Sequence, residues 1–223
     1  MSSIDYIIEN FITIEELARL SDVRVEQLRE MVAANCLPGP AYEVKGDYKV
    51  QSIFGEHQET VCRAYYPKSH IAKAQAISAN SDTYSEQNEA LRQAFYRDYK
   101  NNLVSKNAID FGLENLFDEA GRVAGAAADK LLASEWQHYL DGTYGLCTRR
   151  ATADDIAIKE IMVAKITHLM GKIDEDSASS LLLELSSAVD ALDAVSSPFA
   201  PHEQERSSRG RFIDTVRQKY LKA

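Results

Sequence analysis

Residues 11–40, FITIEELARLSDVRVEQLREMVAANCLPGP, are the stretch whose periodicity decides how the chain begins to fold. Thr13 stands three residues before Glu16, the spacing of a capping box, and Ile14, Leu17, Ala18 and Leu20 supply an apolar face behind it. Ser21-Asp22-Val23 reads as a turn. A second helix is predicted from about Arg24 to Asn35, with Val25, Leu28, Met31 and Val32 on one stripe, and Leu37-Pro38-Gly39-Pro40 stops it. Two short amphipathic helices around a three-residue turn predict a helix-turn-helix.

On its N-terminal side, Ile4 to Asn10 reads as a short leading helix whose Tyr6 and Ile7, with Phe11, pack onto that unit. On its C-terminal side, residues 41–45 and 48–51 flank Gly46-Asp47, which suits a small hairpin placed as a wing. Gly55 to Tyr66 reads as a return to helix, with Pro67 opening the next one. The polar run Ser78 to Ser85 is a linker, dividing a module at 1–80 from a helical bundle at 81–223. In that bundle a polar helix runs from Tyr84 to about Ser105. A central helix is expected through Leu113, Leu116, Phe117, Ala120, Val123, Ala127, Leu131 and Leu132, with Gly121 and Gly125 letting neighbours approach. Thr152 with Asp155 opens a further helix ending at Gly171, and Ser179 to Val195 is another. The fold class is therefore mainly α: a winged helix-turn-helix-like module followed by a C-terminal helical bundle.

With 223 residues, 45% hydrophobic and 26% charged, the chain has the composition of a globular protein with one large core or two modest ones. There is no apolar run of membrane-spanning length. The start, MSSIDYIIENF, lacks the basic and apolar regions of a signal peptide, so the expected location is the cytoplasm. Cys36, Cys62 and Cys147 are odd in number and far apart, which argues against a disulfide framework or a zinc knuckle; neither metal nor nucleotide cofactor is implied.

Three polar stretches carry the candidate chemistry. Tyr65-Tyr66-Pro67-Lys68-Ser69-His70 gathers phenols, an ammonium, a hydroxyl and an imidazole; Thr143 to Arg150 sets Tyr144 and the thiol of Cys147 near Arg149; and Ser197 to His202 leads into Arg206, Arg209 and Arg211. From His202 onward the tail, counting Arg217, Lys219 and Lys222, is net positive by three and leaves the remainder at −12. That contrast either folds back onto the acidic body as ion pairs or presents arginines to an anionic ligand.

The run from Thr13 to Ser21, with Val25, Leu28, Arg29 and Leu37-Pro38, resembles the DNA-binding domain of MerR-type regulators and excisionases. That resemblance implies phosphate contacts at Arg29, with Arg24 as a substitute and Lys45 and Lys49 on the wing. Yet residues 11–40 are net negative by two, and Glu26 and Glu30 stand where the family places basic and aromatic residues, so duplex binding lacks its usual electrostatic drive. The stretches YYPKSH, GTYGLC and SPFAPHE with its trailing SSRGR are similar to those of domain-of-unknown-function family 6058, bacterial proteins found beside natural-product biosynthesis genes. This resemblance implies that Tyr66, His70, Tyr144, Cys147, His202 and Arg209 belong together.

Two functions follow as expectations. In the first, the helical domain binds a small anionic pathway molecule and transforms it, with His70 or His202 as acid or base, Cys147 as nucleophile, Tyr66 and Tyr144 on the pocket wall, and Arg149 and Arg209 as anchors. That requires His70, Cys147, His202 and Arg209 to share one pocket. In the second, the protein is a ligand-responsive regulator, a homodimer holding DNA with Arg24, Arg29, Lys45 and Lys49.

Overall fold

Side-chain capping sets the first helix starts in the computed structural model, which describes residues 1–173 and 179–221. Ser2 Oγ accepts the Asp5 amide at 3.1 Å and opens α1 (Ser3–Asn10); after β1 (Phe11–Thr13), Thr13 Oγ1 accepts the Glu16 amide at 3.3 Å and opens α2 (Ile14–Ser21). Asp22 closes α2 in the left-handed region, at φ 58°, and α3 (Val25–Ala33) follows with Leu28 and Met31 fully buried. Leu20, expected inside, is 39% exposed, because Leu17 and Ser21 occupy the packing face of α2.

The hairpin is far longer than the sequence suggests. β2 (Tyr42–Ser52) pairs along its whole length with β3 (Gly55–Pro67), and β3 also pairs with β1, giving a three-stranded antiparallel sheet in the order β1-β3-β2. Residues 55–66 are thus strand and not helix. Thr60, Val61, Tyr65 and Tyr66 favour an extended backbone, and pairing with β2 decides between the two states. The chain reverses at Ile53-Phe54, ahead of Gly55 at φ 118°, while Gly46-Asp47 lies in mid-strand.

α4 (His70–Ala79) and α5 (Tyr84–Ser105) come next, the latter opened by a capping box between Thr83 and Glu86. The predicted central helix starts late: residues 108–125 form two short 3₁₀ turns and a Phe117↔Val123 bridge, and α6 spans only Ala126–Leu140. Asp118 Oδ1 accepts the amides of Ala120 and Arg122, and Gly121 and Gly125 take φ of 72° and 93°, conformations that a helix cannot contain. Those glycines make turns and have no neighbour a methyl group would touch. α7 (Thr143–Cys147), α8 (Ala153–Met170), α9 (Ser179–Val195), a π turn (Gly210–Asp214) and α10 (Thr215–Tyr220) complete the chain. Lys222 lies outside the described residues.

Apolar side chains gather into two main cores. One, built by α5, α6, α8, α9 and α10, holds Tyr99, Leu132, Ile156, Ile161, Ile166, Val189 and Leu192; the other, built by α2, α3, α4, β1 and β3, holds Leu17, Leu28, Met31 and Leu37. A smaller cluster, Tyr6, Ile7, Phe11 and Tyr65 against Ala200, ties the N-terminus to the segment after α9.

The two cores meet backbone to backbone at a pair of glycines. Gly39 N–H donates to the Leu140 carbonyl at 2.8 Å; a Cβ on Gly142, itself at φ 89°, would lie 2.3 Å from the Pro40 oxygen, and one on Gly145 would lie 2.6 Å from Pro67 Cγ. Replacing either glycine by alanine forces the seam apart. Gly142→Ala is expected to lower stability by on the order of 2–4 kcal/mol in urea unfolding, combining backbone strain with collision. Gly112→Ala, with a similar φ of 84° and no neighbour within 4 Å, should cost only about 1 kcal/mol and isolates the strain.

Candidate ligand cleft between the two cores

The seam leaves a cleft of about 340 Å³, and all three polar stretches reach it. The β3–α4 corner contributes Pro67, Lys68 and Ser69. The short helix α7 and the turn after it contribute Gly145, Thr148 and Arg149, and the segment after α9 contributes Ser197 and Pro198. α1 closes the remaining side with Tyr6 and Asn10. Local pairing explains the convergence: Arg149 N–H donates to the Val195 carbonyl at 2.9 Å, Thr148 bridges Ser196, and Ser197 N–H donates to the Cys147 carbonyl at 3.3 Å, zipping the chain after α7 to the chain after α9.

The walls are apolar at Phe11, Pro67 and Pro198, and cationic at Lys68 and Arg149. Lys68 Nζ donates to the Glu9 carbonyl at 2.8 Å. The Arg149 side chain is half exposed; it donates to the Asp193 carbonyl at 3.3 Å and lies 3.9 Å from the Asp193 carboxylate. Ser69 holds a buried hydroxyl without a hydrogen-bond partner, whereas Tyr6 donates to the Pro198 carbonyl and Thr148 to the Tyr144 carbonyl. The cleft therefore offers two cations, each with donors left over after one carbonyl contact, and an unpartnered hydroxyl beside apolar walls, a set that matches a small carboxylate or phosphate. A shallower depression of about 510 Å³ beside Trp136 and Leu140 offers Arg92, but that guanidinium is already paired with Glu89.

Of the expected site residues, Arg149 lines the cleft and the others are placed elsewhere. His70 is fully buried, its ring 6.1 Å from that of Tyr66, with neither imidazole nitrogen hydrogen-bonded. Burial first, and then the Lys73 ammonium, push His70 down to about 3 against a weaker pull from the Pro38 carbonyl. The imidazole is closed off from solvent and does not line the cleft. Cys147 is also buried; desolvation pushes its thiol up to about 11, so the lowered pKa expected of a nucleophile is reversed. His202 is on the surface, its Nδ1 2.8 Å from Ser3 Oγ. Arg209 donates to Asp193 at 2.6 Å and Arg217 donates to the same carboxylate at 2.7 Å. Partial burial works to raise the Asp193 carboxyl, but the hydrogen bond from Arg217 and the charges of Arg209, Arg217 and Arg149 hold it below its ordinary value. The basic tail thus folds back as ion pairs at these arginines. His70, Cys147, His202 and Arg209 do not share the cleft.

Tyr66 is buried in the N-terminal core, and Tyr144 donates its hydroxyl to Glu135 inside the C-terminal one. That pair belongs to a buried polar group absent from the sequence reading: Lys159 lies 5.7 Å from the Tyr144 ring and pairs with Glu160 at 2.8 Å. Burial raises the Glu135 carboxyl despite the hydrogen bond from Tyr144. Lys73 was equally invisible. From α4 it crosses the seam, donates to the Ala151 carbonyl and to Tyr139 Oη at 3.3 Å, and is pushed down to about 8 by burial while Asp155 pulls the other way. Periodicity places such residues on helices; it does not say which neighbours will close over them.

Arg24, Arg29, Lys45 and Lys49 are exposed on the N-terminal module. Arg24 donates to Gln27 at 3.2 Å, Lys45 lies 3.8 Å from Glu43 and Lys49 2.7 Å from Glu56. Among the described residues no cluster of His, Cys, Asp or Glu is placed to hold a metal ion, and no helix is long and apolar enough to cross a membrane.

Over residues 91–221, more than half of its length, the chain matches a family of unknown function (DUF6058), and it belongs to that family. The match takes in α7, the cleft segment after α9 and the arginine tail, and begins after YYPKSH. No curated protein and no solved structure matches the chain.

The buried imidazole makes stability depend on pH. An unfolded His70 titrates near 6.5 and the folded one near 3, so between these values the unfolded chain binds more protons. Its contribution is complete above about 6.5 and is lost as the pH falls toward 3. Urea unfolding of the wild type against His70→Phe should show the wild type losing on the order of 4 kcal/mol more than the variant across that window.

Proposed function

We propose that this protein binds a small anionic molecule in the cleft between its two cores, in the natural-product setting that its family resemblance implies. The observation that carries this reading is the convergence of three polar stretches, from residues 65–70, 143–150 and 197–203, on one cleft whose least committed polar groups are Lys68, Arg149 and Ser69. Binding is the part supported. The groups first assigned to acid–base and nucleophilic steps sit outside the cleft, and its own hydroxyls at Tyr6 and Thr148 are spent on carbonyls. We read residues 1–80 as a winged helix-turn-helix kept as a packing module, supported by α2, the Asp22 turn, α3 and the β2–β3 hairpin. Residues 81–223 are read as the helical domain, and the location as the cytoplasm.

A DNA-binding regulator remains the second reading, supported by the exposed Arg29 on α3. Against it, α3 also exposes Glu26 and Glu30, and the hairpin lysines already face carboxylates. Titration of random-sequence duplex at low salt separates the two, because phosphate contacts would bind and then weaken steeply with salt.

Calorimetric titration with inorganic phosphate and a series of mono- and dicarboxylates tests the proposal. At least one should bind, and Arg149→Ala and Lys68→Ala should each weaken it by about 10-fold, the loss of one charge-assisted hydrogen bond. Binding unchanged in both variants would overturn the assignment of the cleft.

A further inference from the structure

Beyond Tyr65, β3 leaves β1 and pairs only with β2, so that ten residue pairs, from Glu43↔Ala64 to Ser52↔Gly55, form a two-stranded ribbon about 30 Å long. An isolated ribbon of two strands is marginal in water and needs a covered face. This one has a face built for covering. Val44, Tyr48 and Val50 alternate with Glu43, Lys45, Asp47 and Lys49, and the register sets Val61 on the apolar side. At its base that side packs on the core through Tyr42 and Val44. Farther out Tyr48 and Val50 are each 50% exposed, and the tip residues Ile53 and Phe54 are 94% exposed.

The charges on the two faces are used differently. On the polar face Lys45 is near Glu43, Lys49 pairs with Glu56, and Thr60 donates to Asp47 at 2.6 Å. On the apolar face His57 lies opposite Val50, and Arg63 and Glu59, which carry opposite signs, have no ion-pair partner among the described residues. A surface with one unpaired charge of each sign selects neither a basic nor an acidic partner. Under two-fold symmetry it meets its own complement. Nucleic acid and anionic membrane are poor occupants, since Lys45, Lys49 and Arg63 are outnumbered by Glu43, Asp47, Glu56 and Glu59.

We infer that the ribbon is a homodimerisation arm: the apolar face around Tyr48 and Val50, with the Ile53-Phe54 tip, packs on the same face of a second copy of this chain. The contact is isologous and leaves the polar face in water.

Sedimentation velocity on the full chain, from about 1 to about 200 µM, tests this. The 24.9 kDa protomer should pass to a dimer within that range. Val50→Lys, on the apolar face, should weaken the dimer by about 10-fold or more, whereas Gln58→Lys, which adds the same charge to the polar face, should leave it unchanged. Both positions are exposed, so both variants should retain the wild-type circular dichroism. A chain that stays monomeric throughout, or a dimer that Val50→Lys leaves intact or that both variants weaken equally, would overturn the inference.

Discussion

Close backbone contact at Gly142 and Gly145 is the constraint on which the arrangement of this protein depends. Pro40 and Pro67, one at the end of each half of the N-terminal core, sit where any side chain on those glycines would be. Gly142 meets the Pro40 carbonyl and Gly145 the rigid Pro67 ring, and because neither glycine has a side chain the two cores approach without a flexible residue between them. Lys73 then crosses the same seam and donates to a carbonyl that would otherwise be left without a partner. The cleft lies directly beside the glycine contact, since Pro67 and Gly145 both line it.

The same constraint accounts for motifs that suggested chemistry. GTYGLC reads as a thiol beside guanidiniums, yet its two glycines serve the seam, its tyrosine serves a buried hydrogen bond to Glu135, and its cysteine fills the C-terminal core. In YYPKSH both tyrosines and the histidine are internal, and Pro67, Lys68 and Ser69 border the cleft. Reactive side chains in low-polarity surroundings keep their neutral forms, which is why His70 and Cys147 are shifted away from catalytic values and not toward them.

Legibility from sequence was uneven for identifiable reasons. Helix starts at Thr13 and Thr152 follow from short-range capping, and the Ser179–Val195 helix from its leucine spacing, because both signals are complete within a few residues. The Gly55–Pro67 strand was missed because its polar half has no amphipathic pattern by itself; its state is decided by a partner that begins thirteen residues earlier. The run from Leu113 to Gly125 has helical spacing, but Asp118 and two positive-φ glycines hold it in turns.

The candidate site shows the same division. Sequence by itself determined that Lys68, Ser69, Arg149 and Ser197 lie in polar stretches at element ends, where side chains are free to face solvent. It determined too that the chain is mainly helical, since periodicity and capping are local. Tertiary structure alone decided which of those ends meet, which polar groups are buried with partners, and which cations stay available. Asp193 shows why: its carboxylate captures Arg209 and Arg217 from a segment sixteen or more residues away and leaves Arg149 at 3.9 Å, a competition settled by distance in space and invisible to spacing along the chain.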